Sequence, residues 1–386
     1  MFKHWSVTHI TAGFVAVLVG FTSSVVIVLQ AADAAGATPG QVASWLWALG
    51  IGMGVTSIGL SWYYRQPVLT AWSTPGAALL ATSLTGVTMP EAIGAFVFSA
   101  LLIVVCGISG LFERVMDRIP KSLAAAMLAG VLLRFGMDVF VAMQAQFILV
   151  FSMFVCYILL KRFSPRYVII VVLLLGIGIA WWLGLLQFQQ FAVSLAKPEF
   201  TMPKFSLPVL ISIGIPLFVV TMTSQNIPGI AVMQASGYKV PVSPLIGWTG
   251  LSTLVLAPFG GYALNLAAIT AAICMGKEAG EDESKRYLAA ISAGIFYIVV
   301  GLLGATVVAL FAAFPQALVL AIAGLALLST IGNSLQLAMH EQGHREAALI
   351  TFLVTASGIT LFGVGAAFWG LVAGVLALSV WKIRSL

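Results

Sequence analysis

Stretches of about 20 apolar residues follow one another along nearly the whole chain, and polar positions gather in the short intervals between them, as in helices that cross a bilayer. Charges and Pro/Gly clusters cut the chain into fourteen such segments. Their centres lie near Val19, Gly52, Leu79, Leu101, Leu128, Phe151, Leu174, Leu217, Gly250, Thr270, Val300, Ala323, Thr355 and Leu376. Fourteen spans use about 280 of the 386 positions and leave short loops, which predicts an all-α polytopic membrane protein with 14 transmembrane segments. The first run, Ile10 to Ala32, exceeds the roughly 7–15 apolar residues of a secretory signal, so it reads as a retained span although Ala32-Asp33-Ala34 imitates a cleavage site.

Composition narrows the function. With 61% hydrophobic and 8% charged residues, a soluble enzyme or a nucleic-acid binder is excluded. The net charge of +6 sets orientation instead. With the N-terminus in the cytoplasm, fifteen of the 18 Lys and Arg fall on the inner side, including Lys3, Arg65, Arg114, Arg118, Lys121, Arg166, Lys277, Lys382 and Arg384, while Arg134, Lys197 and Lys204 fall outside. Both termini are therefore expected in the cytoplasm. Cys106, Cys156 and Cys274 lie inside apolar stretches without a close pair and read as small apolar residues, not a disulfide or zinc set. No cofactor or metal is expected.

The two halves echo each other. At an offset of 201, Thr22-Ser23 meets Thr223-Ser224 and Trp47 meets Trp248; at 191, Pro67 meets Pro258 and Ala77 meets Ala268. Both halves also place an interrupted segment third. Seven spans per half is odd, so the second half is predicted to insert upside down, as in inverted-repeat transporters whose substrate sits near the midplane between broken helices.

The third segment predicts a short extended stretch after Pro67, an N-cap at Ser73 or Thr74 and a helix starting at Pro75. In the tenth, residues 258–264 are expected to be extended, Asn265 to cap, and Ala267 to Cys274 to be helical. Helix tips inside a bilayer attract anions. The eighth span adds Thr223-Ser224-Gln225-Asn226 before Pro228-Gly229, hydrogen-bonding side chains at a depth where each needs a partner or a function. No charged residue falls at mid-membrane in these segments, which suits a compact carboxylate with an apolar body. Trp72, Phe259 and Tyr262 are placed either to receive that body or simply to pack. The candidate substrate residues are Ser73, Thr74, Gly76, Thr223, Ser224, Gln225, Asn226, Tyr262 and Asn265.

At these residues the sequence resembles the benzoate:proton symporter family, BenE, through Val68 to Leu79, Thr223 to Ile230, Ala267 to Cys274 and Ala323 to Ile331. The likeness runs from Ala12-Gly13-Phe14 to Phe368-Trp369-Gly370. It implies a multi-pass protein of the bacterial inner membrane that imports benzoate or a similar aromatic monocarboxylate with protons. It also implies the uracil-permease-like fold of two seven-span inverted repeats. In that fold a core domain, residues 1–120 and 207–313, moves against a gate domain, residues 121–206 and 314–386, often within a homodimer. Nucleobase members of the fold carry acidic residues on spans eight and ten, where this chain has Ser224-Gln225-Asn226 and Asn265. That difference argues against a nucleobase and leaves the proton without an obvious carrier, since Asp33, Glu91 and Asp138 are expected near the outer surface. Another small organic or inorganic anion is the alternative substrate.

A rival class comes from His340-Glu341-Gln342-Gly343-His344, which matches the H-E-x-x-H zinc protease signature. No Asp, Glu, His or Cys follows Glu346 to supply a third ligand, and the strip falls in the predicted loop between spans 12 and 13. The pairs Gly50 with Gly54 and Gly370 with Gly374 read as close helix packing.

Overall fold

The structure, a computed structural model, describes residues 6–110, 120–163, 168–187, 193–239, 241–276, 279–359, 361 and 366–383. Of the basic residues used for orientation, Lys3, Arg114, Arg118, Arg166, Lys277 and Arg384 lie outside these. Each of the fourteen predicted centres falls in a helix. The first half holds α1 (Val7–Ala34), α2 (Pro39–Tyr64), α3 (Thr74–Ser83), α4 (Met89–Ser109), α5 (Lys121–Ala145), α6 (Phe147–Phe163) and α7 (Val168–Trp182). The second begins with α8 (207–235), a composite helix containing two π-helical turns, Leu210–Gly214 and Met222–Asn226. After it come α9 (Val242–Leu256), α10 (Ile269–Met275), α11 (Tyr287–Leu302), α12 (Gly304–Ala312), α13 (Gln316–Ala338), α14 (Arg345–Ala356) and α15 (Ala366–Ile383). Among the described residues, seven helical stretches are long and apolar enough to cross a bilayer, and bent α1 makes an eighth. The chain is thus a predominantly helical, multi-pass membrane protein whose broken elements, α3 and α10, have only ten and seven residues.

Small residues let the helices meet closely, because lipid offers no hydrophobic drive and packing must hold them together. A β-carbon added at Gly50 of α2 would lie 2.5 Å from Gly301 Cα of α11, and one at Gly54 would press on Gly294. The matching contact, likewise between the halves, is α4 against α9, where Gly107 meets the Gly247 backbone and Gly250 meets Ile103 and Val104. If the second half is laid over the first, α2 corresponds to α9 and α4 to α11, so each half lends the other the same partner. Gly370 and Gly374 of α15 pack on Thr355 and Thr351 of α14, the close contact their spacing predicts. Helices α5 and α13 run antiparallel: Gly324 faces Phe135 and Val139, and Ala338 packs with Leu123.

Two short strands join the halves. β1 (Thr70–Trp72) and β2 (Leu264–Leu266) pair antiparallel, with Thr70 opposite Leu266, Ala71 opposite Asn265 and Trp72 opposite Leu264.

Candidate substrate-binding site

Extended backbone inside a membrane is tolerated only where its polar groups find partners within the protein. On the outer edge of β1 these come from α2. Ser57 Oγ accepts the Thr70 N–H at 3.0 Å, Ser61 Oγ accepts the Val68 N–H at 3.0 Å, and Thr70 Oγ1 donates to the Met53 carbonyl. On β2, Thr253 Oγ1 of α9 accepts the Leu264 N–H and Asn226 Oδ1 of α8 accepts the Leu266 N–H, both at 3.0 Å. The ribbon then feeds α3. Ser73 is its N-cap, as predicted, with Oγ accepting the Gly76 N–H at 3.0 Å, while the Ser73 carbonyl takes the Ala77 N–H. Pro75 has no N–H, so the Thr74 N–H is the donor left at this tip.

The second broken segment differs from expectation. Asn265 does not cap a helix; it lies in β2, its Nδ2 donating to the Ala263 carbonyl, and α10 starts at Ile269 after Ala268. Residues 257–259 form a 3-10 turn and Gly260 takes a left-handed φ of 93°, so the stretch before β2 is turned where extension was expected. Ala263, with φ 42°, holds a conformation costly for any residue with a β-carbon; its carbonyl accepts from both Ser73 N–H and Asn265. A two-stranded pairing nearly 200 residues apart in sequence fixes Asn265, and no local signal carries it.

Between the ribbon, α1 and α8 on one side and α5 and α13 on the other lies a cavity of about 480 Å³. Thr74, Thr223, Ser224 and Gln225 line it. Thr223 returns its hydroxyl to the Val219 carbonyl at 2.7 Å. The side chains of Thr74, Ser224 and Gln225 have no hydrogen-bond partner among the described residues and face the cavity uncommitted. Ser73, Gly76, Asn226, Tyr262 and Asn265 do not line it. Tyr262 is fully buried among Trp45 and Phe96, and Phe259 packs on Trp47 and Phe200. Trp72 does line the cavity, its indole N–H held by Ser24 Oγ at 2.9 Å and its ring against Phe21.

Sequence reasoning missed the opposite wall. Thr330, Asn333, Ser334 and Leu337 of α13 face the cavity at helical spacing, and Lys121 stands at its exposed end. The signal was the i, i+3, i+4 recurrence of the polar residues Thr330, Asn333 and Ser334 in a largely apolar helix. Among the described lining residues Lys121 is the one charged group, and none is a carboxylate.

The family profile described as "Benzoate membrane transport protein" matches residues 3–380. The chain belongs to the BenE family. Among BenE relatives, it is 41% identical to a benzoate membrane transport protein of Acinetobacter baylyi, over 97% of this chain and 95% of that one. It is 53% identical to inner membrane protein YdcO of Escherichia coli, over 94% and 93%. The BenE chain shares its fold with the transmembrane domain of a cyanobacterium bicarbonate transporter, BicA, at a TM-score of 0.60, 15% identity and 97% and 98% coverage. It likewise matches the murine Solute Carrier 26 family member A9 anion transporter in its inward-facing state at 0.57, 12% identity and 99% and 69% coverage. BenE proteins are membrane transporters, not enzymes, and the H-E-x-x-H strip fits that. It lies in the α13–α14 connection, only Gln342–His344 forming a 3-10 turn, with His344 Nδ1 2.7 Å from Glu341 Oε2 and 3.2 Å from Ser122 Oγ. Two His on one α-helical face are not formed, and among the described residues no cluster of three His, Cys, Asp or Glu gathers to hold a metal.

Proposed function

We propose that this BenE transporter imports benzoate or a similar aromatic monocarboxylate across the bacterial inner membrane by proton symport. The observation that carries the reading is the cavity: uncommitted donors of Thr74, Ser224 and Gln225 at the α3 tip, apolar walls, and no carboxylate among the described lining residues. The partial positive charge of the α3 N-terminus and these donors receive the carboxylate, while Trp72 and Leu327 take the ring. Ser73, Gly76, Asn226 and Asn265 contribute as the frame that holds the tip. In this reading the chain has fourteen spans with both termini cytoplasmic. Residues 1–120 and 207–313 move as the core against the gate, 121–206 and 314–386, within a homodimer. The cavity between α5/α13 and the ribbon supports that division.

Binding of radiolabelled benzoate to purified protein tests the site. Thr74→Val and Ser224→Ala are each expected to weaken it about tenfold to a hundredfold, the net value of one hydrogen bond to a charged group. Unchanged affinity in both removes the site. A second reading, transport of another small anion, draws on the same helix tip, which does not choose the ligand's body. Competition by salicylate, bicarbonate and sulfate in proteoliposomes, with and without a pH gradient, separates the two and tests proton coupling.

A further inference from the structure

Lys121 breaks a local rule. It is the first residue of α5, a 25-residue helix, so its ammonium sits at the positive end of the helix dipole, where acidic residues are favoured. It forms no ion pair among the described residues. Nearby Glu341 is engaged by His344, which in turn touches Ser122. Departures of this kind concentrate at functional sites. Two polar residues of α13 share the same end of the cavity. Ser334 is only 6% exposed and lines the cavity, and among the described residues neither it nor Asn333 beside it has a side-chain hydrogen-bond partner. From Leu327 to Leu337 the α13 wall runs about 15 Å, longer than a single-ring acid, so the tip and the mouth are separate places along it.

We propose that Lys121, Asn333 and Ser334 form a second anion station at the mouth of the cavity, on the cytoplasmic side in the orientation proposed above, which holds the carboxylate of the substrate between Thr74 and Ser224 and the cytoplasm. This rests on the reading of the cavity as an aromatic monocarboxylate site and adds where the anion pauses on its way into the cell. An ammonium reinforced by a helix dipole, in a cleft walled by apolar side chains, concentrates monoanions at that mouth. The Ser334 hydroxyl and the Asn333 amide stand in for part of the carboxylate's water there. Two stations along one wall also divide the change in hydration into two smaller steps.

The test uses the full chain in nanodiscs of zwitterionic lipid, which removes the membrane's own surface potential, with benzoate as the probe. Half-saturation is measured at about 20 mM and about 500 mM NaCl, conditions of long and short screening length. For wild type, half-saturation is expected to rise with salt. Lys121→Gln is expected to raise it about fivefold at low salt and to flatten the salt dependence, and Lys121→Arg to restore both. Ser334→Ala is expected to raise it about twofold to threefold with the salt dependence kept. A Lys121→Gln protein that binds benzoate as wild type does at low salt, or that keeps the wild-type salt dependence, overturns the station while leaving the inner site standing. Failure of wild type to bind benzoate overturns the substrate reading and the station together.

Discussion

Ser224 and Asn226 are two positions apart on α8, yet they answer different needs. The π-helical turn over Met222–Asn226 directs the Asn226 carboxamide to the Leu266 N–H of β2, while Ser224 faces the cavity without a partner among the described residues. Asn226→Ala leaves a buried backbone N–H unpaired and is expected to cost about 1–3 kcal/mol of stability along with benzoate binding. Ser224→Ala is expected to lower binding with the thermal midpoint unchanged; thermal unfolding of the two purified proteins beside a binding assay checks the contrast. Gly260 is the sharper structural case. Its φ of 93° disfavours any β-carbon, and one placed there would fall onto the Trp45 ring. Gly260→Ala is expected to lose about 2–4 kcal/mol, read by the same thermal assay.

At the scale of elements, the ribbon has one edge satisfied by hydroxyls of α2 and the other by Thr253 and Asn226. Ser57→Ala and Thr253→Val each strip one buried acceptor from a strand N–H, so both are expected to destabilise by about 1–3 kcal/mol, in similar measure, if the halves are equivalent. A thermal-shift comparison in one detergent decides it. The loop before α11 offers a pH test. Hydrogen bonds from Ser284, with Lys285 beside it, lower the exposed Asp282 carboxyl from 3.8 to about 2. Its contribution to loop order is present above pH about 4 and is lost as pH falls through about 2. Hydrogen exchange at the Ser284 amide, corrected for intrinsic rate, is expected to show protection at pH 5 that disappears near pH 2. Much of this level was readable beforehand: Pro67, Ser73 and Pro75 mark where the backbone must leave and re-enter a helix, because their constraints are local. Asn265 and Tyr262 were not readable, since strand pairing and an aromatic cluster with Trp45 and Phe96 are decided by residues far away in sequence. The α13 wall escaped because Thr330, Asn333 and Ser334 sit in a helix with no break to draw the eye.

For the whole molecule, the cavity reaches from the ribbon to the end bearing Lys121 and Leu337, so one side of the membrane has access. In a Cys156→Ser background, whose remaining Cys106 and Cys274 are buried, Leu337→Cys is expected to react with a membrane-impermeant thiol reagent applied from the cytoplasmic side. Benzoate is expected to slow that reaction; labelling from the opposite face reverses the orientation. The ribbon has a further consequence for biosynthesis. When Thr70–Trp72 leaves the ribosome, its pairing partner is roughly 190 residues from being made, a wait of about 10–40 s at ordinary elongation rates. For that time the inner edge of β1 has no mate in a medium without water. The N-terminal half must therefore be sheltered by the insertion machinery, or kept partly unfolded, until Leu264–Leu266 arrives to close it.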